Sequence, residues 1–217
     1  MKSKVPKQYI EILGLPILTR TLKNFISCEI IDQTIVVVSE KDREFCIKNI
    51  IKPNNFTTKV DIISGGIERQ ESVINGLDKI KKNAKSLDKT IVLIHDGVRP
   101  FADHDMINRC IEGAIKHGAC IPGIPIQDTV KKIDAQGFIH NTINRNNLYQ
   151  IQTPQAFKLK LILEAYEYAG KHSFSGTDDA FFLEKIGGKI FITKGSKKNI
   201  KITTMDDLKL ANFFCKA

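Results

Sequence analysis

Short apolar runs alternate with amphipathic stretches along this chain. Ile91 to Ile94 is an unbroken, largely β-branched apolar run closed by His95, Asp96 and Gly97. That is the pattern of a strand buried on both faces of a parallel sheet. Thr34 to Val38 reads the same way and ends at Ser39. Val60 to Ile63 is a weaker third strand running into Ser64, Gly65 and Gly66, Cys120 to Pro122 begins another, and Lys189 to Thr193 is a further one. Helices are predicted between them. Pro16 to Phe25 has proline near the first helical position, and Ser39 is placed to cap a helix from Glu40 to Ile50. The Gly65-Gly66 turn opens a helix reaching about Lys82, and further helices cover Met106 to His117, Lys158 to Ala169 and Met205 to Phe214. Gly176-Thr177-Asp178-Asp179 starts one that runs through Lys185, since an acidic start complements the helix dipole. Tyr9 to Gly14 reads as a short turn and Asn199 to Thr204 as a last extended piece.

Between Ile124 and Ile133 apolar and polar residues alternate, Asp134-Ala135-Gln136-Gly137 makes a turn, and Phe138 to Ile143 starts a return. This is a β-hairpin arm spanning 124–150. Such an arm cannot bury its own apolar side, so it is expected to pack on a second copy of the chain. Strands alternating with helices give the overall expectation: an α/β, Rossmann-like three-layer sandwich, with a mostly parallel sheet and a projecting arm. A chain of 217 residues suits a single domain, and no stretch of it reads as a linker.

Composition narrows the partners. The formal net charge is +9, from 33 Lys and Arg against 24 Asp and Glu. The lysines are scattered and not interleaved with aromatics, which counts against nucleic acid and for a phosphate-bearing small substrate. The five cysteines are widely spaced with no C-x-x-C pair, so core packing in a reducing cytoplasm is expected rather than zinc or disulfides. No apolar run reaches the length of a membrane span, and no signal peptide is expected.

Candidate chemistry sits where strands end. In open α/β sheets, ligands bind beyond the carboxyl ends of the strands. Asp96 is placed there to hold a metal or a ribose hydroxyl, and Arg99 to brace the loop, unless the two merely pair with each other. The Gly65-Gly66 turn can bring backbone N–H groups close to a ligand, and Arg69 and Ser72 share a face of the first helical turns.

Seven motifs in order carry a resemblance: P-K-Q-Y at Pro6 to Tyr9, G-G-I-E-R-Q-E-S-V, H-D-G-V-R-P-F, D-T-V-K, Q-T-P-Q-A-F, T-D-D-A and N-I-K-I-T-T. The chain resembles the cytidylyltransferases of isoprenoid biosynthesis, above all those acting on 2-C-methyl-D-erythritol 4-phosphate. The resemblance spans essentially the whole chain. It implies a reaction of CTP with a sugar-alcohol phosphate, giving a CDP-alcohol and pyrophosphate with Mg2+ as cofactor, in a cytoplasmic homodimer. It also implies roles. Lys7 would stabilise the pentacoordinate α-phosphorus. Gly66, Ile67, Arg69 and Ser72 would form the loop that reads cytosine and supports the nucleotide. Asp96 and Gly97 would lie on the ribose and substrate side, with Asp96 in the magnesium shell. Thr129 and Arg145, on the arm, would hold the sugar phosphate in the neighbouring subunit's site, and Lys201 would orient the incoming phosphate. Asp178 and Asp179 read as helix cap and loop brace. The chain departs from the family pattern at Ile67 and Asn144, where acidic residues are usual, and at Gly97 and Val98 within H-D-A-A-R-P.

The family opens with a strand and a glycine-rich loop ending in R-M that wraps the triphosphate. Met1 stands where that methionine would be. Roughly fifteen to twenty residues would supply such a strand and loop. Little activity is therefore expected of the 217-residue form, and more of one extended upstream. Val98 keeps a ribitol 5-phosphate cytidylyltransferase open as an alternative. A non-catalytic nucleotide-binding protein and, more weakly, a nucleic-acid binder remain open too.

Overall fold

A computed structural model describes residues 6–216. The turn at Lys7–Tyr9 leads into a small hairpin of β1 (Glu11–Ile12) and β2 (Leu15–Pro16), closed by Leu13 and Gly14 in left-handed conformations. Then follow α1 (Ile17–Ile26), β3 (Thr34–Val38), α2 (Glu40–Cys46), β4 (Val60–Ser64), α3 (Arg69–Asn83), β5 (Ile91–Ile94) and α4 (His104–His117). The second half adds β6 (Ala119–Pro125), β7 (Val130–Ile133), β8 (Ile139–Ile143), β9 (Tyr149–Ile151) and β10 (Gln155–Lys158). It closes with α5 (Leu159–His172), α6 (Asp179–Lys185), β11 (Phe191–Lys194) and α7 (Met205–Lys216). The Met1 position of the expected loop lies outside the described residues.

The main sheet has the order β11-β6-β10-β5, with β9 also on β6. It is mixed, which corrects the expectation of a mostly parallel sheet. β11 runs parallel to β6, but β10 lies antiparallel to both β5 and β6, and β9 is antiparallel to β6. The cause is the arm. The chain leaves β6, makes the hairpin, and comes straight back along the same strand with no crossover helix, and a return of that kind pairs antiparallel. β3 and β4 form a separate parallel pair.

Helices cover both faces of the main sheet. Val92, Ile121 and Phe157 point into a core with α3, α5 and α6, while Leu93, Cys120 and Ala156 point the other way onto Phe25 of α1 and onto α4. This alternation is the period of two that strands impose. The cysteines are free, and Cys28, Cys46, Cys110 and Cys120 are buried, as small core residues. Ser39 does stand at the N-cap of α2, but its hydroxyl donates to Asp42 Oδ2 at 2.7 Å rather than accepting from the backbone. The hairpin of β7 and β8 carries Ile133, Phe138 and Ile139 at 59%, 72% and 65% exposure. No described helix is long and apolar enough to cross a membrane.

Candidate active site

Asp96, just past β5, is the centre of a cationic cluster. Lys201 Nζ lies 3.0 Å and Arg99 Nε 3.5 Å from its Oδ2, and Arg69 Nε lies 3.9 Å from its Oδ1. Burial alone would raise the carboxyl's pKa. The Lys201 hydrogen bond and the charges of Lys201, Arg69 and Arg99 outweigh it and hold the group below the usual carboxylate range. Asp96 is therefore ionised at neutral pH.

The three cations come from distant parts of the chain, and each is fixed by its own contacts. Arg69 opens α3 and forms a two-pronged pair with Asp179, Nη1 to Oδ1 at 3.0 Å and Nη2 to Oδ2 at 2.5 Å. The Asp179 side chain is fully buried and also accepts from the Tyr166 hydroxyl at 2.6 Å. Burial works to lower the pKa of Arg69, and the Asp179 pair reverses this, so its charge is more secure than a free guanidinium's. Asp178 caps α6 by accepting from the Phe181 N–H, and Gln155 bridges Asp178 to the Ala180 N–H. The expected roles of Asp178 and Asp179 as cap and brace are what the geometry shows.

Lys201 is held by residues that sequence reasoning passed over. The Gln152 amide donates to the carbonyls of Ser196 and Asn199 and accepts from the Ser196 N–H. The Asn199 amide donates to the Thr153 carbonyl at 2.9 Å, and Arg99 Nη1 donates to the Asn199 carbonyl at 2.9 Å. The Ile202 N–H donates to the Val98 carbonyl at 3.0 Å. Arg99 thus braces the loop, as expected, and also pairs with Asp96, which stood as the alternative. The signal for this network was the polar pair Gln152-Thr153 inside the Q-T-P-Q-A-F motif, to which the resemblance assigned no role.

His95 underlies the same loop. Its Nε2 faces the Arg99 carbonyl at 3.0 Å, so that nitrogen carries the hydrogen. Its Nδ1 then accepts from the Thr153 hydroxyl at 3.0 Å, and that hydroxyl oxygen accepts the Asp96 N–H at 3.1 Å. Burial pushes the ring's pKa down to about 4, so it is neutral at pH 7.

The loop after β4 differs from expectation in one respect. Its N–H groups are already paired: Gly66 donates to Ser72 Oγ, and Ile67 and Glu68 donate to Glu71 Oε2. Glu68 and Glu71 complete a reciprocal capping box at the start of α3. What the loop can offer a ligand is its carbonyls. A side chain at Gly66 would place Cβ 2.2 Å from Glu71 Cβ, so the box requires glycine there. Ile67 is 98% exposed. Gly97, beside Asp96, accepts from the Thr21 hydroxyl at 2.9 Å through its carbonyl.

An open cleft of about 420 Å³ adjoins the cluster, lined by Arg99, Gln127, Asp128, Gln152, Lys197 and Lys201 among others. Arg145 donates to the Gln127 main-chain carbonyl at its rim. Asp96, Gly97, Arg69 and Lys201 are thus brought together, Gly66, Ile67 and Ser72 form the adjoining loop, and Arg145 borders the cleft. Lys7 and Thr129 are exposed and outside these contacts, Lys7 in the turn anchored by buried Tyr9 and Thr129 just before β7. Among the described residues no group of three or more His, Cys, Asp or Glu converges as a metal cage.

The sequence profile of the family described as 2-C-methyl-D-erythritol 4-phosphate cytidylyltransferase matches residues 1–217. The chain belongs to this family. The enzyme of that description from Clostridium beijerinckii is 44% identical over 211 residues, covering 97% of this chain and 90% of the relative. The one from Syntrophus aciditrophicus is 43% identical over 216 residues, covering 100% and 90%. Among solved structures, the 4-diphosphocytidyl-2C-methyl-D-erythritol synthase of Anaerococcus prevotii superposes with a TM-score of 0.85 at 34% identity, covering 98% of this chain and 91% of that one. The Francisella tularensis 2-C-methyl-D-erythritol 4-phosphate cytidylyltransferase gives 0.83 at 31%, covering 96% and 93%.

Proposed function

We propose that this chain transfers CMP from CTP to 2-C-methyl-D-erythritol 4-phosphate, releasing pyrophosphate, in the non-mevalonate route to isoprenoids. The observation that carries the reading is the convergence of Lys201, Arg69 and Arg99 on Asp96 beyond β5. A phosphate oxygen of the sugar phosphate attacks the α-phosphorus of CTP in line, the bond to the β-phosphate oxygen breaks, and pyrophosphate leaves. Reactions of this type ask a protein for positioning and for cations against growing negative charge. Lys201 orients the incoming phosphate, and Lys7 stabilises the pentacoordinate α-phosphorus.

The loop of Gly66 and Ile67 offers carbonyl acceptors of the kind that the exocyclic amine of cytosine needs. Arg69 and Ser72 act by holding that loop in shape, since Arg69 is bound to Asp179 and Ser72 to the Gly66 N–H. Gly97 lies with Asp96 on the ribose and substrate side, and Thr129 and Arg145 hold the sugar phosphate. Magnesium suits this donor set: it commonly takes one or two carboxylates and completes its shell with substrate phosphates and water. Asp96 is the carboxylate that would hold it, ionised at the end of β5. The ion would neutralise charge on the triphosphate. The exposed apolar side of the arm supports pairing with a second copy.

Ribitol 5-phosphate is the disfavoured alternative. Pyrophosphate release measured with CTP and each polyol phosphate tests the assignment. Turnover that requires methylerythritol phosphate is expected. Equal turnover with ribitol 5-phosphate, or CTP bound with no release even by a form extended upstream, overturns it.

A further inference from the structure

From Gly65 to Glu68, each backbone N–H is already committed. Gly65 donates to the Val38 carbonyl at 2.7 Å and Gly66 to Ser72 Oγ at 3.2 Å. Ile67 donates to Glu71 Oε2 at 2.7 Å, and Glu68 donates to the same oxygen at 3.4 Å. The carbonyls divide differently. Ser64 accepts from the Asn75 side-chain amide at 3.0 Å, and Glu68 accepts from both the hydroxyl and the N–H of Ser72. Between those two, the carbonyls of Gly65, Gly66 and Ile67 meet no hydrogen-bond donor among the described residues. Gly66 and Ile67 are exposed. The loop therefore presents backbone acceptors to a ligand and no backbone donors. Glu71 sets that one-sided face, because one of its oxygens takes both N–H groups of the exposed Ile67-Glu68 step.

We infer that Glu71 is a positioning residue for base selection: its carboxylate favours cytosine over uracil by withdrawing the loop's N–H groups. The inference rests on the reading of this loop as the cytosine site. At position 4 of the ring, cytosine carries an amine, a donor that a carbonyl can accept. Uracil carries an oxygen there, an acceptor that needs an N–H. A loop of carbonyls satisfies the first and leaves the second unpaired, which costs binding. Without the Glu71 carboxylate, the N–H groups of Ile67 and Glu68 are released to face the base, and the loop can then satisfy uracil. The Glu68 carboxylate makes the other half of the capping box by accepting from the Glu71 N–H. Capping and base selection are therefore separable by mutation.

The test is titration calorimetry with CTP and with UTP on the wild type and three variants, each in the 217-residue form and in one extended upstream. The wild type is expected to prefer CTP. Glu71→Ala is expected to narrow that preference by roughly ten-fold, the scale of one hydrogen bond exchanged, with UTP affinity held or raised while CTP affinity falls. Glu71→Gln keeps an acceptor oxygen and is expected to restore most of the preference. Glu68→Ala is expected to lower Tm much as Glu71→Ala does, with the preference unmoved. Three results overturn the inference. One is a proportionate loss of both nucleotides in Glu71→Ala. Another is an equal loss of preference in Glu68→Ala, which would reduce Glu71 to a helix cap. The third is a Glu71→Gln variant as unselective as Glu71→Ala, which would trace the effect to charge. A wild type with no preference for CTP, even when extended upstream, would instead overturn the cytosine reading of the loop.

Discussion

Acid stability should hinge on His95. The ring is held neutral at pH 7 by burial, with its pKa down at about 4 against 6.5 for a free histidine. The sign follows from proton counting. The unfolded chain takes up a proton near pH 6.5 while the folded chain does not, so stability is complete above that pH and is lost as pH falls toward 4. Working from those two values, the loss is about 2 kcal/mol by pH 5 and about 3 kcal/mol by pH 4. The residue keeps partial solvent contact, so these are ceilings. The consequence reaches the site, because the same ring bonds the Arg99 carbonyl and the Thr153 hydroxyl that carries the Asp96 N–H. Urea unfolding of the wild type and of His95→Gln at pH 7.5, 6, 5 and 4.5 measures the effect. The wild type should lose about 1–2 kcal/mol more than the variant between pH 7.5 and 5, whatever the variant's absolute stability. Parallel pH profiles would refute the reasoning.

Other predictions follow from single contacts. Asp179→Asn leaves a partly buried guanidinium without its charge partner. The buried-pair precedent is 3–5 kcal/mol, and the 42% exposure of the Arg69 side chain moves the expectation to about 2 kcal/mol, a fall in Tm of roughly 4–8 °C by calorimetry. A shift under a degree would show that the pair contributes nothing. Gly66→Ala drives Cβ into Glu71 and opens the capping box, for about 1–2 kcal/mol of destabilisation by urea titration and a weaker affinity for CTP. Replacing the exposed Phe138 and Ile139 together by Asp should convert a dimer to a monomer in light scattering; a monomeric wild type would remove the arm from any role in assembly.

Much of this was legible in the sequence for physical reasons. Buried strands such as Ile91–Ile94 carry apolar runs because both faces are covered, and the Asp178 cap is a local bond between neighbours. The direction of β10 was not legible, because Gln155–Lys158 reads the same whether it runs with β6 or against it. The pairing of Arg69 with Asp179 spans 110 residues, and no local pattern announces a bond of that range. Gln152 and Asn199 were missed for a similar reason: amides look ordinary in sequence, and only the fold shows them holding the Lys201 segment. The Gly65-Gly66 turn was legible as a turn, but not that its N–H groups were already taken by Ser72 and Glu71.

The most direct test of the account is the effect of Lys201→Ala on pyrophosphate release from CTP and methylerythritol phosphate. This cation lies 3.0 Å from Asp96, and its proposed role is to meet the attacking phosphate there. Removing it should lower kcat/KM for the sugar phosphate by roughly 100-fold or more, the scale of losing one charged donor at a reacting centre. A variant that turns over as fast as the wild type would contradict the account.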